Sequence, residues 1–266
     1  MFKTRLLSGI VLVAAALAFI LTGGYVLLAV TCMISLIGMY ELYRVYKIER
    51  TGAAWMGYLA AVVFYSDLFH SWIPDMMLFV IGLMILLLAI YVLSYPKYHA
   101  SQIMAVFFGV FYVAAMLSCI YRTRVMEQGA YIVWLIFLCS WGCDTCAYCV
   151  GVRFGKHKMS PVLSPKKSIE GAIGGLAGTF LLTALYAFVF RSQMGISSVQ
   201  IFLLALISTF GGVISMIGDL AASAIKRNYE VKDYGTLIPG HGGILDRFDS
   251  VIFTAPVIYY LAEYLL

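Results

Sequence analysis

The chain has 266 residues, of which 63% are hydrophobic and only 12% charged, with a mean hydropathy of +0.95 and a formal net charge of +5. A soluble domain is about half apolar and roughly a quarter charged. This composition therefore excludes an ordinary soluble domain, and with no soluble basic region it excludes a nucleic-acid partner as well.

Apolar runs near the roughly 20 residues that a spanning helix needs recur along the whole chain. They predict an all-α, polytopic integral membrane bundle of about nine transmembrane helices. The spans fall near 7–22, 25–43, 53–69, 74–95, 102–120, 130–150, 171–190, 198–222 and 250–265. The first run follows Lys3 and Arg5, as in a signal peptide, but has no small-x-small cleavage site and reads as a retained helix. The third is short and carries Asp67 and His70 near one end.

With the N-terminus inside and spans alternating, all of the 18 Lys and Arg except Arg122, Arg124 and Arg191 fall in inside segments. The positive-inside rule then puts two long polar loops, 151–170 and 223–247, on the cytoplasmic side of the cell membrane. Both loops exceed the usual length of a connection between packed helices, which often marks function. Anionic lipid headgroups and nucleotide phosphates are natural partners for their charge. Residues 1–125 are plain spans with short connections, and 126–266 hold the polar content as a C-terminal catalytic region of one membrane-embedded unit. Gly171, Gly174, Gly175 and Gly178 form a small-residue stripe on the seventh span, suited to close helix packing within or between subunits.

The six cysteines include a CxxCxxC run at Cys143, Cys146 and Cys149. That spacing invites a metal–thiolate reading. Inside an apolar helix the same step puts small packing residues on one stripe, and we favour that.

Acidic residues at membrane depth are expensive and usually functional. Asp144 lies late in the sixth span, Asp219 late in the eighth, and Asp246 and Asp249 at the start of the ninth. By the span count all four occupy cytoplasmic helix ends. Clustered carboxylates repel unless protonated or bridged by cations, and beside phosphates the usual bridge is Mg²⁺. Asp219 and Asp246 are the first candidates for metal, with Asp144 and Asp249 behind them. Two divalent-type sites are expected. Asp219, Ser223 and Lys226 share a helix face, as do Asp246 and Asp249. Simple ion pairing of Asp219 with Lys226 or Arg227, and helix-dipole pairing of Asp246 and Asp249, are the plainer alternatives.

Phosphate contacts are expected from Lys166 and Lys167, where Ser164-Pro165 has the pattern of a helix start. The glycine-rich turn Pro239-Gly240-His241-Gly242-Gly243 leads into Arg247, whose guanidinium can fork onto phosphate oxygens. His241 reads as a phosphate contact rather than a base.

Residues 223–249, SAIKRNYEVKDYGTLIPGHGGILDRFD, resemble the signature of phosphatidate cytidylyltransferases, the CDP-diacylglycerol synthases. D-T-x-A-Y at 144–148, G-x-x-F-G-K-H-K at 151–158 and S-P-K-K-S-x-E-G at 164–171 resemble the family's upstream motifs, with Ser168 where Thr is usual. The resemblance implies transfer of CMP from CTP to phosphatidate in phospholipid synthesis, with Mg²⁺. It implies catalytic roles for Asp219, Asp246, Lys226 and Arg247. Phosphate contacts are implied for Lys167, Ser223, Lys226, Arg227, Lys232, His241 and Arg247. A homodimer is compatible with the family. A CTP-dependent polyprenol or phytol kinase is the rival enzyme, and an anion transporter is the rival from another class. Without symmetry between the two halves, the transporter reading is the weaker.

Overall fold

The computed structural model of this chain describes residues 2–238, Gly240 and 242–265. Backbone amides in hydrocarbon must find partners within their own segment, so apolar runs of this length become helices. The expected spans are accordingly helical: α1 (Phe2–Thr22), α2 (Gly24–Val45), α3 (Gly52–His70), α4 (Met76–Leu93), α5 (Ala100–Val125), α6 (Gly129–Phe154), α7 (Ile169–Val189), α8 (Ser198–Asn228) and α9 (Leu245–Leu265). Several begin at a polar cap. Thr51 accepts from the Ala54 amide at 3.4 Å, and Asp75 from the Met77 amide at 2.9 Å. Ser197 and Gln200 form a reciprocal capping box at the start of α8.

Among the described residues, seven helices, α2 through α8, are long and apolar enough to cross a membrane. The expected count of nine is thus supported for seven. In α1 the described residues include an apolar stretch over Gly9–Thr22, and α9 opens with Asp246, Arg247 and Asp249. The chain is an integral membrane protein of all-α class. α5 is the most enclosed of the seven spans and α4 the least.

The helix start expected at Ser164-Pro165 is not found. Ser164–Ser168 forms strand β2, antiparallel to β1 (Lys158–Ser160), with Lys158 opposite Ser168 and Ser160 opposite Ser164. The true cap of α7 is Ser168, whose hydroxyl accepts from the Gly171 amide at 3.1 Å. Glu170 explains why the later start wins. From the first turn of α7 its carboxylate takes the amides of Lys156 (3.0 Å) and His157 (3.2 Å), and it meets His157 Nδ1 at 2.5 Å. These bonds hold the entry to the hairpin against the helix.

Two helices contain π-helical segments, Val110–Ala115 in α5 and Leu138–Gly142 in α6. Such wide turns shift the register of the residues that follow and often accompany functional sites. Asp144 comes directly after the second one.

The glycine stripe on α7 is used inside the chain, against α6. A Cβ on Gly174 would lie 2.5 Å from Val150, one on Gly175 2.9 Å from Ala147, and one on Gly178 2.5 Å from Cys146. In the same region Cys143 is buried beside Gly212 of α8. All six cysteines are free thiols. Cys143 and Cys146 therefore serve as small packing residues in a close helix contact, as the helical spacing suggests.

Gly178→Leu should force α6 and α7 apart and destabilise the protein by about 1–3 kcal/mol, the usual scale of overpacking. Gly82 of α4 has nothing within 4 Å of its Cβ position, so Gly82→Leu serves as the control. Thermal unfolding of the purified protein in detergent is the readout. Equal midpoints for the two variants would contradict this packing.

Candidate active site

The polar ends of α6, α8 and α9 and the β1–β2 hairpin enclose a cavity of about 820 Å³. Asp144, Asp219, Asp246 and Asp249 all line it. So do Lys166, Lys167, Lys226 and Arg247. The convergence expected from the span positions is therefore present: carboxylates from three helices face one space, interleaved with cations.

Asp246 sits in the first turn of α9 and is buried. Its Oδ1 accepts from Lys226 Nζ at 2.8 Å. Its Oδ2 accepts from the amides of Tyr234 (2.8 Å) and Gly243 (2.9 Å). This carboxylate thus joins α8, the connecting loop and α9. The Lys226 ammonium also lies 5.2 Å from the centroid of the Tyr234 ring, whose hydroxyl donates to the Ala222 carbonyl at 3.0 Å. Gly242 turns the loop with φ 86°, a left-handed conformation that favours glycine.

Asp219 pairs with Lys167, which arrives from the hairpin. Burial lowers the Lys167 pKa, but the carboxylate beside it raises it further, and the net position is above the ordinary lysine value. The lysine stays charged. Asp249 is buried and Asp144 half-buried, and their side chains are only lightly engaged. Asp249 accepts from the Ser250 amide, and the Ser250 hydroxyl lies 3.5 Å from Asp144. Trp141 donates its indole N–H to the Arg247 carbonyl at 3.1 Å. The Nε of Arg247 is buried and has no hydrogen-bond partner among the described residues. A buried donor without a partner on a cavity wall suits an anionic ligand that would supply the acceptor.

Some expected phosphate contacts are not on this wall. Ser223 is half-buried, and Arg227 and Lys232 are exposed, all three outside the lining. Ser223 lies one turn after Asp219 on α8 but does not reach the cavity lining. His241 lies outside the described residues.

Sequence reasoning missed Glu41. It is buried in α2, within the half of the chain read as plain spans. Its carboxylate accepts from the amides of Ile244 (3.1 Å) and Leu245 (2.8 Å). The first turn of a helix has amides with no intrahelical acceptor. At α9 they are shared out: Asp246 takes Gly243, and Glu41 takes the next two. Gly235 and Gly243 press against the Glu41 carboxylate so closely that neither has room for a Cβ. One turn along, Arg44 donates to the Tyr234 carbonyl at 3.3 Å. The signal was available, because Glu41 is the lone acidic residue in the second apolar run. Asp233 also lines the cavity and was not singled out.

Among the described residues, no group of three His, Cys, Asp or Glu side chains is arranged to hold a metal ion by itself. Mg²⁺ bound beside nucleotides typically takes one or two carboxylates and completes its shell with phosphate oxygens and water. Asp144 and Asp249 offer the lightly partnered carboxylate oxygens on this wall, whereas both oxygens of Asp246 are already taken. Asp219 and Asp246 each already face a positive group, Lys167 and Lys226 respectively.

A family model described as the cytidylyltransferase family matches residues 3–265. A Staphylococcus saprophyticus protein named phosphatidate cytidylyltransferase is 32% identical over 261 residues, covering 96% of this chain and 97% of its own length. A protein of the same name from Staphylococcus aureus is 34% identical over 263 residues, with the same coverage of both chains. A third, from Staphylococcus haemolyticus, is 32% identical over 259 residues, again with that coverage.

Glu41→Ala leaves the Ile244 and Leu245 amides buried without an acceptor. Each such loss costs about 1–3 kcal/mol, so a clear drop in the thermal midpoint is expected. Glu127→Ala, at an exposed position, should stay within about 0.5 kcal/mol of the parent. A Glu41→Ala midpoint as high as that of the control would contradict the bracing role.

Proposed function

Because this chain belongs to the cytidylyltransferase family, we propose that it transfers CMP from CTP to phosphatidate, forming CDP-diacylglycerol and releasing pyrophosphate. The observation that carries this reading is the single cavity where Lys167, Lys226 and Arg247 face carboxylates of three helices. The names of its relatives, matched over nearly their whole length, supply the substrate.

The physical setting suits the two reactants. CTP comes from water, and phosphatidate keeps its tails in the membrane with its headgroup at the interface. A polar cavity at helix ends is reached from both. The Lys and Arg distribution supports a cytoplasmic opening. The glycine stripe, being occupied within the chain, lends no support to a homodimer.

The nucleophile is a phosphate oxygen of phosphatidate. A phosphomonoester has a second pKa of about 6, so it is ionised at neutral pH and needs no protein base. The oxygen forms a bond to the α-phosphorus of CTP. The bond from that phosphorus to the bridging β-phosphate oxygen breaks in line, and pyrophosphate leaves with the electron pair. Lys167, Lys226 and Arg247 offset the charge that builds on the non-bridging and leaving oxygens. Asp219 and Asp246 are the proposed Mg²⁺ carboxylates, supported by Asp144 and Asp249. When bound, the metal would supply charge neutralisation between the two phosphates. Asp246 has a second duty, since it fixes Lys226 and the loop ahead of Arg247.

With α-labelled CTP and phosphatidate, the purified protein should form labelled CDP-lipid and pyrophosphate, and a chelator should stop it until Mg²⁺ is restored. Asp219→Asn should lower kcat by about 10²–10³, the scale seen when a single transition-state charge contact is lost. CDP in place of pyrophosphate would reassign the chain to γ-phosphoryl transfer. Near-normal turnover by Asp219→Asn would remove that residue from the mechanism.

A further inference from the structure

The cavity is not polar throughout. Its wall includes Gly9, Leu12 and Val13 of α1 together with Tyr148 and Val152 of α6. α1 packs on α2 and on the Gly129–Phe137 part of α6. Its packing on the Cys143–Phe154 part is weaker, and residues of both segments line the cavity. Two observations make this space a slot rather than a seam. A Cβ built on Gly9 meets nothing within 4 Å. Tyr148 and Val152, which line the same cavity, are 72% and 71% exposed. Both helices lie in apolar runs, which suits an opening toward lipid.

We propose that this slot between α1 and the C-terminal half of α6 admits the acyl chains of the lipid substrate, and that Gly9 sets its width. The inference rests on the functional reading above and extends it from headgroup to tails. The same cavity is lined by Lys167 and Arg247, which match a phosphate, and by apolar residues of α1 and α6. A molecule with a phosphate at one end and hydrocarbon at the other fits that polarity. Lipid tails are about as apolar as leucine, so entry from the bilayer gains little from hydrophobic transfer. Room decides it, and the side chain at position 9 controls the room.

The test compares Gly9→Ala and Gly9→Phe with the parent in mixed detergent micelles. It measures KM for dioleoyl phosphatidate, for dihexanoyl phosphatidate and for CTP. Replacing a glycine inside an exposed helix raises helix propensity, so neither variant should fail to fold. Gly9→Phe should raise the KM for the dioleoyl lipid about tenfold, the scale of an overpacking penalty. It should affect the dihexanoyl lipid far less and leave the KM for CTP unchanged. Gly9→Ala should match the parent. An active Gly9→Phe whose KM for the dioleoyl lipid is unchanged overturns the slot alone, as does an equal penalty on long and short chains or on CTP. A parent protein that makes no CDP-lipid sinks the functional reading and the slot with it.

Discussion

The start of α9 is the constraint from which the rest follows. A helix that begins inside a low-dielectric bundle presents amides that water cannot reach, and each needs an acceptor. Here two carboxylates supply them. Asp246 takes the Gly243 amide, while Glu41 reaches from α2 to take those of Ile244 and Leu245. Neither acid could remain buried and charged without compensation. Asp246 obtains it from Lys226 at 2.8 Å, and both acids gain from the positive end of the helix they cap. One set of bonds thereby fixes the helix, the loop before it and the lysine across from it.

That arrangement explains how a membrane bundle can hold so many charges in one place. Asp219 answers Lys167 from the hairpin, as Asp246 answers Lys226 from α8. Asp144 and Asp249 face the same space with few partners, and the Arg247 Nε has none among the described residues. Asp144, Asp249 and Arg247 thus keep free bonding capacity for a ligand, while Asp219 and Asp246 line the cavity already paired with cations. Close packing behind it keeps the frame in place. Glycines of α7 let α6 approach within side-chain contact, and the π-segment in α6 precedes Asp144 and holds Trp141 against the Arg247 carbonyl. The hairpin that delivers Lys166 and Lys167 is tied to α7 by Glu170.

Much of this was legible in the sequence. The apolar runs located the helices, because hydrocarbon leaves the backbone few alternatives. Counting spans was enough to bring Asp144, Asp219, Asp246 and Asp249 to the same end of the bundle, and the cavity joins them. What was hidden depends on contacts far apart in the chain. Glu41 and Leu245 are 204 positions apart, and no local pattern connects them. The helix start at Ser168 rather than Ser164 was decided by the pairing of β2 with β1 and by Glu170, not by cap propensity. Helical spacing put Ser223 beside Asp219 and Lys226, but the cavity takes only the latter two. The two end spans looked like the others in outline, yet α9 spends its first turn on the site.

The central claim is that Asp219 and Asp246 face one nucleotide's phosphates together. The most direct measurement is an experimental structure with CTP bound and Mn²⁺ in place of Mg²⁺, using the metal's anomalous signal to locate it. The account predicts a metal peak about 2.1 Å from carboxylate oxygens of α8 and α9, shared with CTP phosphate oxygens. Triphosphate density outside this cavity, or a metal that touches neither Asp219 nor Asp246, would contradict it.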